Sequence, residues 1–171
     1  LNDFVFSSIQ SAERLNYRKI NVLNCWEDTV NITLGKATTE GGQYAYIALD
    51  RAVRDLKEGL IDVLVTGPVN KHAMQLVDFP ATGHTAYLEK ELGGKALMLM
   101  GNEDFRVALV TGHIPLSEVS ENITKENVKD ALTRFIRTLK VDFGLDKPTI
   151  AVLGLNPHAS DNGLMGSEEE E

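Results

Sequence analysis

The chain is poor in most of the features that would settle its class at once. It has one cysteine, Cys25, so no intramolecular disulfide can form. That usage fits a reducing, cytoplasmic setting. Aromatic residues make up only 6% of the chain, which leaves most of the packing to valine, leucine, isoleucine and alanine. There is no basic excess: 17 Lys and Arg stand against 25 Asp and Glu, for a net charge of -8. A nucleic-acid partner would need a basic face, so none is expected. No apolar run approaches the ~20 residues needed to span a bilayer, so no membrane partner is expected either. The N-terminal LNDFVFSSIQ lacks the basic head and apolar centre of a secretion signal. GxSxG, Walker A, GxGxxG and HExxH motifs are all absent, so neither an ordinary Rossmann dehydrogenase nor a local metal signature is legible.

What remains is a chain of 171 residues with 43% hydrophobic content, enough for one domain with a sizeable core. Ile20 to Leu23 reads as a short strand. From Gln43 the pattern turns helical: Ala45, Ala48, Leu49, Ala52, Val53 and Leu56 share one face, and Gly59 is a good stop. IDVLVT, Ile61 to Thr66, is apolar without alternation and reads as a central strand buried on both faces. Short helices are predicted at Lys71 to Val77 and from near Thr85 to before Gly93. KALMLMG and FRVALVTG, linked by GNED, read as a hairpin. Thr124 caps a long helix whose apolar stripe is Val128, Ala131, Leu132, Phe135, Ile136 and Leu139, closed at Gly144. TIAVLGL, Thr149 to Leu155, is the last predicted strand, and Ser167 with the following glutamates reads as a helix start. Strands alternating with helices predict an α/β fold with a mostly parallel sheet and flanking helices.

Three predicted strands run into polar loops marked by Gly or Pro: Thr66 to Lys71, Thr111 to Pro115, and Asn156 to His158. In open α/β sheets ligands sit beyond the carboxyl ends of the strands. His113 and His158 lie one or two residues past such ends. Neutral imidazole is the commonest metal ligand, although a histidine after a strand is often only a hydrogen-bonded turn residue. His84 and Thr85 fall where a helix N-terminus could grip an anionic substrate, while Thr85 also suits a simple helix cap. Lys71, just past a strand end, is the candidate catalytic group: its ammonium could meet a phosphate or carboxylate. Cys25 reads as a small buried apolar group, and His72 is assigned no role.

The stretches VTGPVNKHAM, FPATGHTAYLEKEL, RVALVTGHIPLSEV and AVLGLNPHASDNGLMGSEEEE, in this order, resemble the 4-hydroxythreonine-4-phosphate dehydrogenase family of pyridoxal phosphate biosynthesis. The resemblance runs from about Gly41 to the end. It implies oxidation of 4-phosphohydroxythreonine by NAD or NADP, followed by decarboxylation to an aminoketone phosphate. It implies a divalent metal, zinc or magnesium, with His113 and His158 as two of three histidine ligands. It implies His84 and Thr85 as the substrate-binding pair and a homodimer with a shared site. The implied fold is like that of isocitrate and isopropylmalate dehydrogenases, incomplete at both ends. Residues 1–171 would then be one partial α/β unit, the central portion of a longer enzyme, inactive alone because the third metal histidine lies outside it.

Gly112, Ala86 and the pair Ser160-Asp161 depart from the family pattern. The alternative within the same class is a related dehydrogenase of phosphorylated four-carbon sugar acids. The alternative from another class is a non-catalytic α/β module that binds an anion. A phosphotransacetylase-like acyl transfer would need a coenzyme A site, and no residues suggest one.

Overall fold

The computed structural model describes residues 5–170. The chain divides into two compact units, Leu1–Ala96 and Leu97–Glu171.

The first unit opens with β1 (Phe6–Ile9) and β2 (Ile20–Leu23), paired in parallel with Phe6 opposite Ile20. Helix α1 spans Thr39–Lys57. It starts because the Thr38 hydroxyl accepts from the Gly41 N–H at 3.0 Å, satisfying one of the orphan donors of the first turn. It stops in a Schellman turn: the Gly59 N–H donates to the Leu56 carbonyl and the Leu60 N–H to the Asp55 carbonyl. Gly59 takes φ +72, a conformation that costs glycine nothing. Two short helices follow, α2 (Lys71–Gln75) and α3 (His84–Leu92).

The core of this unit is Leu49 and Val53 from α1, Met74 from α2 and Tyr87 from α3. The scarcity of aromatics misleads here. Tyr46, Phe79 and Tyr87 gather edge to face or tilted, with ring centroids 5.0–5.9 Å apart. Tyr87 is the largest fully buried side chain. Its hydroxyl donates to Asp50 Oδ1 at 2.8 Å, and Asp50 in turn pairs with Arg54 at 2.9 Å, so α3 is fastened to α1 by a charge-assisted bond. Burial, and then the Asp50 carboxylate, push the Tyr87 hydroxyl far above the usual tyrosine range. Tyr87→Phe keeps the ring and removes this bond. It is expected to cost about 1–3 kcal/mol, read as a lower urea midpoint at unchanged slope.

In the second unit β3 (Leu99–Gly101) and β4 (Arg106–Ala108) form the predicted antiparallel hairpin, Met100 facing Val107. Helix α4 (Val119–Asn122) is a single turn. Helix α5 spans Lys125–Val141, with the Thr124 hydroxyl accepting from the Asn127 N–H as the cap. Ala131, Phe135 and Leu139 are the buried centre of its stripe, whereas Ile136 is exposed. The Arg106 guanidinium lies over the Phe143 ring, 4.5 Å from its centroid.

The mixed strand and helix content is that of an α/β fold, but the sheet differs from expectation. Among the described residues there are two separate two-stranded sheets, one parallel and one antiparallel. Residues 61–66 and 149–155 are not strands. Val63, Val65 and Leu153 are 73%, 90% and 89% exposed. A central strand is defined by neighbours that take its backbone N–H and C=O groups, and no described strand pairs with either run. Nor is there a helix at Ser167: residues 168–170 form a turn, with the Glu170 N–H donating to the Ser167 carbonyl. No described helix is long and apolar enough to cross a membrane.

Candidate active site

Of the residues singled out from sequence, the first unit brings Lys71 and His84 together. Both line one narrow cleft, with Thr82, Gly83, Phe79 and Met74 among its walls. Lys71 is the first residue of α2 because Asn70 caps that helix, its side-chain oxygen accepting from the Ala73 N–H at 3.0 Å. The Lys71 Cε and Nζ pass 3.7 and 4.0 Å from where a Cβ on Gly83 would stand, so the lysine runs alongside the start of α3. Among the described residues Lys71 has no ion-pair partner. The signal for this cap is an Asn directly before a helical run, a cue the sequence carries at Asn70.

His84 opens α3 with Gly83 at its cap position and no side chain capping the first turn. Thr85 is therefore not the cap. It sits one residue inside the helix and is exposed. The cleft thus joins an ammonium, an imidazole and the uncapped start of a helix, all of which favour an anion.

His113 and His158 belong to the second unit and are exposed. Both have left-handed backbones, φ +56 and +55. Such values are uncommon outside glycine, and residues held there concentrate at functional positions. His158 begins a run of five such residues, His158 to Asn162. Each costs roughly 1–2 kcal/mol against the right-handed form, so the run needs outside support.

That support comes from Glu169. Its Oε1 accepts from the Asn156 backbone N–H at 2.6 Å, and its Oε2 accepts from Asn156 Nδ2 at 3.1 Å and from the Ser160 hydroxyl. Glu168 Oε2 takes a second bond from Asn156 Nδ2 at 2.8 Å. Ser160 is wholly buried. The Asn156 N–H, then the Ser160 hydroxyl, then the Asn156 side chain hold the Glu169 carboxyl at about 2, below the usual 4.5. A depressed carboxylate stabilises the fold above its ordinary pKa, and that contribution fades as pH falls from about 4.5 through about 2. Neither acid was distinguished from the glutamate run in the sequence.

The donor type at His113 and His158 suits a zinc-like ion, but a catalytic site keeps three protein ligands. No group of three His, Cys, Asp or Glu side chains able to hold a metal occurs among the described residues.

Solved structures give the class first. The chain matches a 4-hydroxythreonine-4-phosphate dehydrogenase from Klebsiella pneumoniae with TM-score 0.81 at 27% identity, covering 96% of this chain and 52% of that one. It matches one from Burkholderia phymatum with TM-score 0.76 at 30% identity, covering 97% and 51%. The fold is that of this class of α/β proteins.

A family model described as pyridoxal phosphate biosynthetic protein PdxA matches residues 1–171, and the chain belongs to that family. A relative in Bacteroides thetaiotaomicron is 49% identical over 168 residues, 97% of this chain and 46% of the relative. One in Sulfurihydrogenibium sp. is 38% identical over 170 residues, 98% of this chain and 52% of the relative. Both are named 4-hydroxythreonine-4-phosphate dehydrogenase. The chain spans about half the length of the curated relatives it matches.

Proposed function

We propose that this chain supplies about half of an enzyme that oxidises 4-phosphohydroxy-L-threonine with NAD or NADP in pyridoxal 5'-phosphate synthesis. The observation that carries this reading is the 49% identity, over 97% of the chain, to a relative bearing that enzyme's name. The Lys71 ammonium and the start of α3, which meet at one cleft, support it, because both suit an anionic group. The rest of the proposal is a homodimer with a shared site, a cytoplasmic location and a fold akin to isocitrate and isopropylmalate dehydrogenases. Residues 1–171 act as one partial unit of the enzyme and are not competent alone.

In the overall reaction a hydride leaves the carbinol carbon for the nicotinamide ring and the hydroxyl proton leaves as the ketone forms. The β-carboxyl group then departs as carbon dioxide, and the electron pair left behind is protonated to give the aminoketone phosphate. His84, Thr85 and the start of α3 hold an anionic group of the substrate. Lys71, at the same cleft, neutralises negative charge and can return a proton to the carbon that loses carbon dioxide. His113 and His158 would be two of the ligands of a divalent metal, which when bound supplies Lewis-acid polarisation of the reacting oxygen.

The test is steady-state reduction of NAD by the complete protein, with 4-phosphohydroxythreonine and a phosphorylated four-carbon sugar acid as rival substrates. Turnover of the first is expected to exceed that of the second. Turnover of the second alone would move the enzyme to the related branch, and turnover of neither would favour a binding module. Lys71→Met is expected to lower kcat by about 10²–10⁴. Its thermal midpoint should stay near wild type, because the side chain is exposed.

A further inference from the structure

The turn that presents His158 is held from a distance along the chain. His158 to Asn162 all have positive φ, and none is glycine. Within the run, the Ala159 N–H donates to the Asn156 carbonyl at 3.3 Å, and the Met165 N–H donates to the Ser160 carbonyl at 3.1 Å. Neither bond involves the His158 backbone. Two contacts bracket the histidine: a long bond from the Asn156 amide to the Ser160 hydroxyl, 3.4 Å, and the shorter bonds of one carboxylate. Glu169 accepts from Asn156 two residues before it and from Ser160 two residues after it. The Ser160 side chain is buried against this carboxylate, with 0% of the residue exposed. His158 itself is exposed and free to face outward.

We propose that Glu169 is a positioning residue for His158. By clamping Asn156 and Ser160 it fixes the left-handed turn, and so the direction in which the imidazole is offered to a metal. The proposal rests on the reading of His158 as a ligand. It adds a residue that touches neither metal nor substrate. Ligand orientation by supporting hydrogen bonds is known to matter: losing such a support typically weakens metal binding by about 10–100-fold.

The glutamate's role is one of hydrogen bonding, so glutamine should serve in part. Its amide oxygen can accept from the Asn156 N–H, and its amide nitrogen can donate to the Ser160 hydroxyl oxygen, but that nitrogen cannot accept from Asn156 Nδ2 as Oε2 does. Alanine can do neither.

The experiment is a zinc titration of the complete protein against a chromophoric chelator. Wild type, Glu169→Ala, Glu169→Gln and His158→Ala are compared, and thermal midpoints are recorded for each. The expected result is an affinity about 10-fold weaker for Glu169→Ala, a smaller loss for Glu169→Gln, and an affinity at least about 100-fold weaker for His158→Ala. Unchanged zinc affinity in Glu169→Ala, with a loss in His158→Ala, would overturn the clamp and leave the ligand reading standing. Unchanged affinity in His158→Ala would overturn the ligand reading, and the clamp with it. Equal losses in the alanine and glutamine variants would mean that the hydrogen bonds glutamine keeps do not orient the histidine, which also overturns the proposal. If Glu169→Ala does not fold, the glutamine variant decides: a loss smaller than about 10-fold supports the clamp, and a loss as large as that of His158→Ala overturns it.

Discussion

Gly42→Ala is expected to destabilise the protein by about 3 kcal/mol, the upper range for overpacking a tight contact. At an exposed helix position the same change normally stabilises, by roughly 0.5–1 kcal/mol. The sign reverses here because Gly42 is the point at which α1 meets α2. A Cβ on it would overlap the Ala73 carbonyl oxygen and stand 2.5 Å from the Ala73 carbonyl carbon and 3.2 Å from the Met74 nitrogen. All three are backbone atoms, so no rotamer change relieves the clash. Helix α2 cannot slide away cheaply either, since Ala73 and Met74 are themselves buried, 5% and 3% exposed. The neighbouring Gly41 is the control. A Cβ there would meet the Thr38 hydroxyl oxygen at 3.1 Å, a side-chain atom that needs to shift only a few tenths of an ångström. Any weakening of the cap it makes is offset by the helix-propensity gain of alanine. Gly41→Ala should therefore change stability by less than about 1 kcal/mol. Urea unfolding of both variants gives the comparison. A Gly42→Ala protein as stable as wild type would mean that α1 and α2 do not approach as closely as described. The same variant carries a functional forecast, since displacing α2 displaces Lys71, its first residue.

This contact shows where the sequence could be read and where it could not. Helices α1 and α5 were legible because their apolar residues recur at helical spacing, with Thr124 at the start of α5 and Gly59 and Gly144 just past the ends. The Thr38 start of α1 was missed, because the first turn before Gln43 carries no apolar periodicity. The hairpin of β3 and β4 was legible from the short polar link between two apolar runs. β2 was found and its partner β1 was not, because FSSI carries no strong strand pattern. The runs at 61–66 and 149–155 have the composition of central strands, yet composition only says that a segment suits a sheet. Pairing depends on neighbours, and periodicity carries no information about those. Gly42 was invisible for a related reason, since nothing local marks a glycine as the meeting point of two helices. The approach of Lys71 and His84 to one cleft was equally hidden, because it arises from the packing of α2 and α3 around Phe79 and Met74. For the histidines the loops were legible and the backbone was not. No motif announces φ near +55 at His113 and His158.

The left-handed backbones at these two positions lead to the other large effect. His113→Ala and His158→Ala, each made in the complete protein, are expected to weaken zinc binding at least about 100-fold. The bound follows from a comparison: losing a residue that merely orients a ligand costs about 10–100-fold, so losing a ligand should cost no less than the top of that range. Stability should barely move, unlike that of a core substitution. Both side chains are exposed. Alanine tolerates φ near +55 no better than histidine does, so the metal-free proteins should differ by less than about 0.5 kcal/mol, the range of ordinary surface changes. A glycine at the same positions sharpens the argument. His113→Gly and His158→Gly lose the imidazole but relieve the backbone, so the metal-free proteins should be slightly more stable than their alanine counterparts. Zinc titration and thermal unfolding of the four variants, each with and without metal, separate the two effects. Weak zinc binding with unchanged metal-free stability is the signature of a ligand. If both alanine variants bound zinc as wild type does, His113 and His158 would be turn residues only, and the strained backbone at each would need another cause.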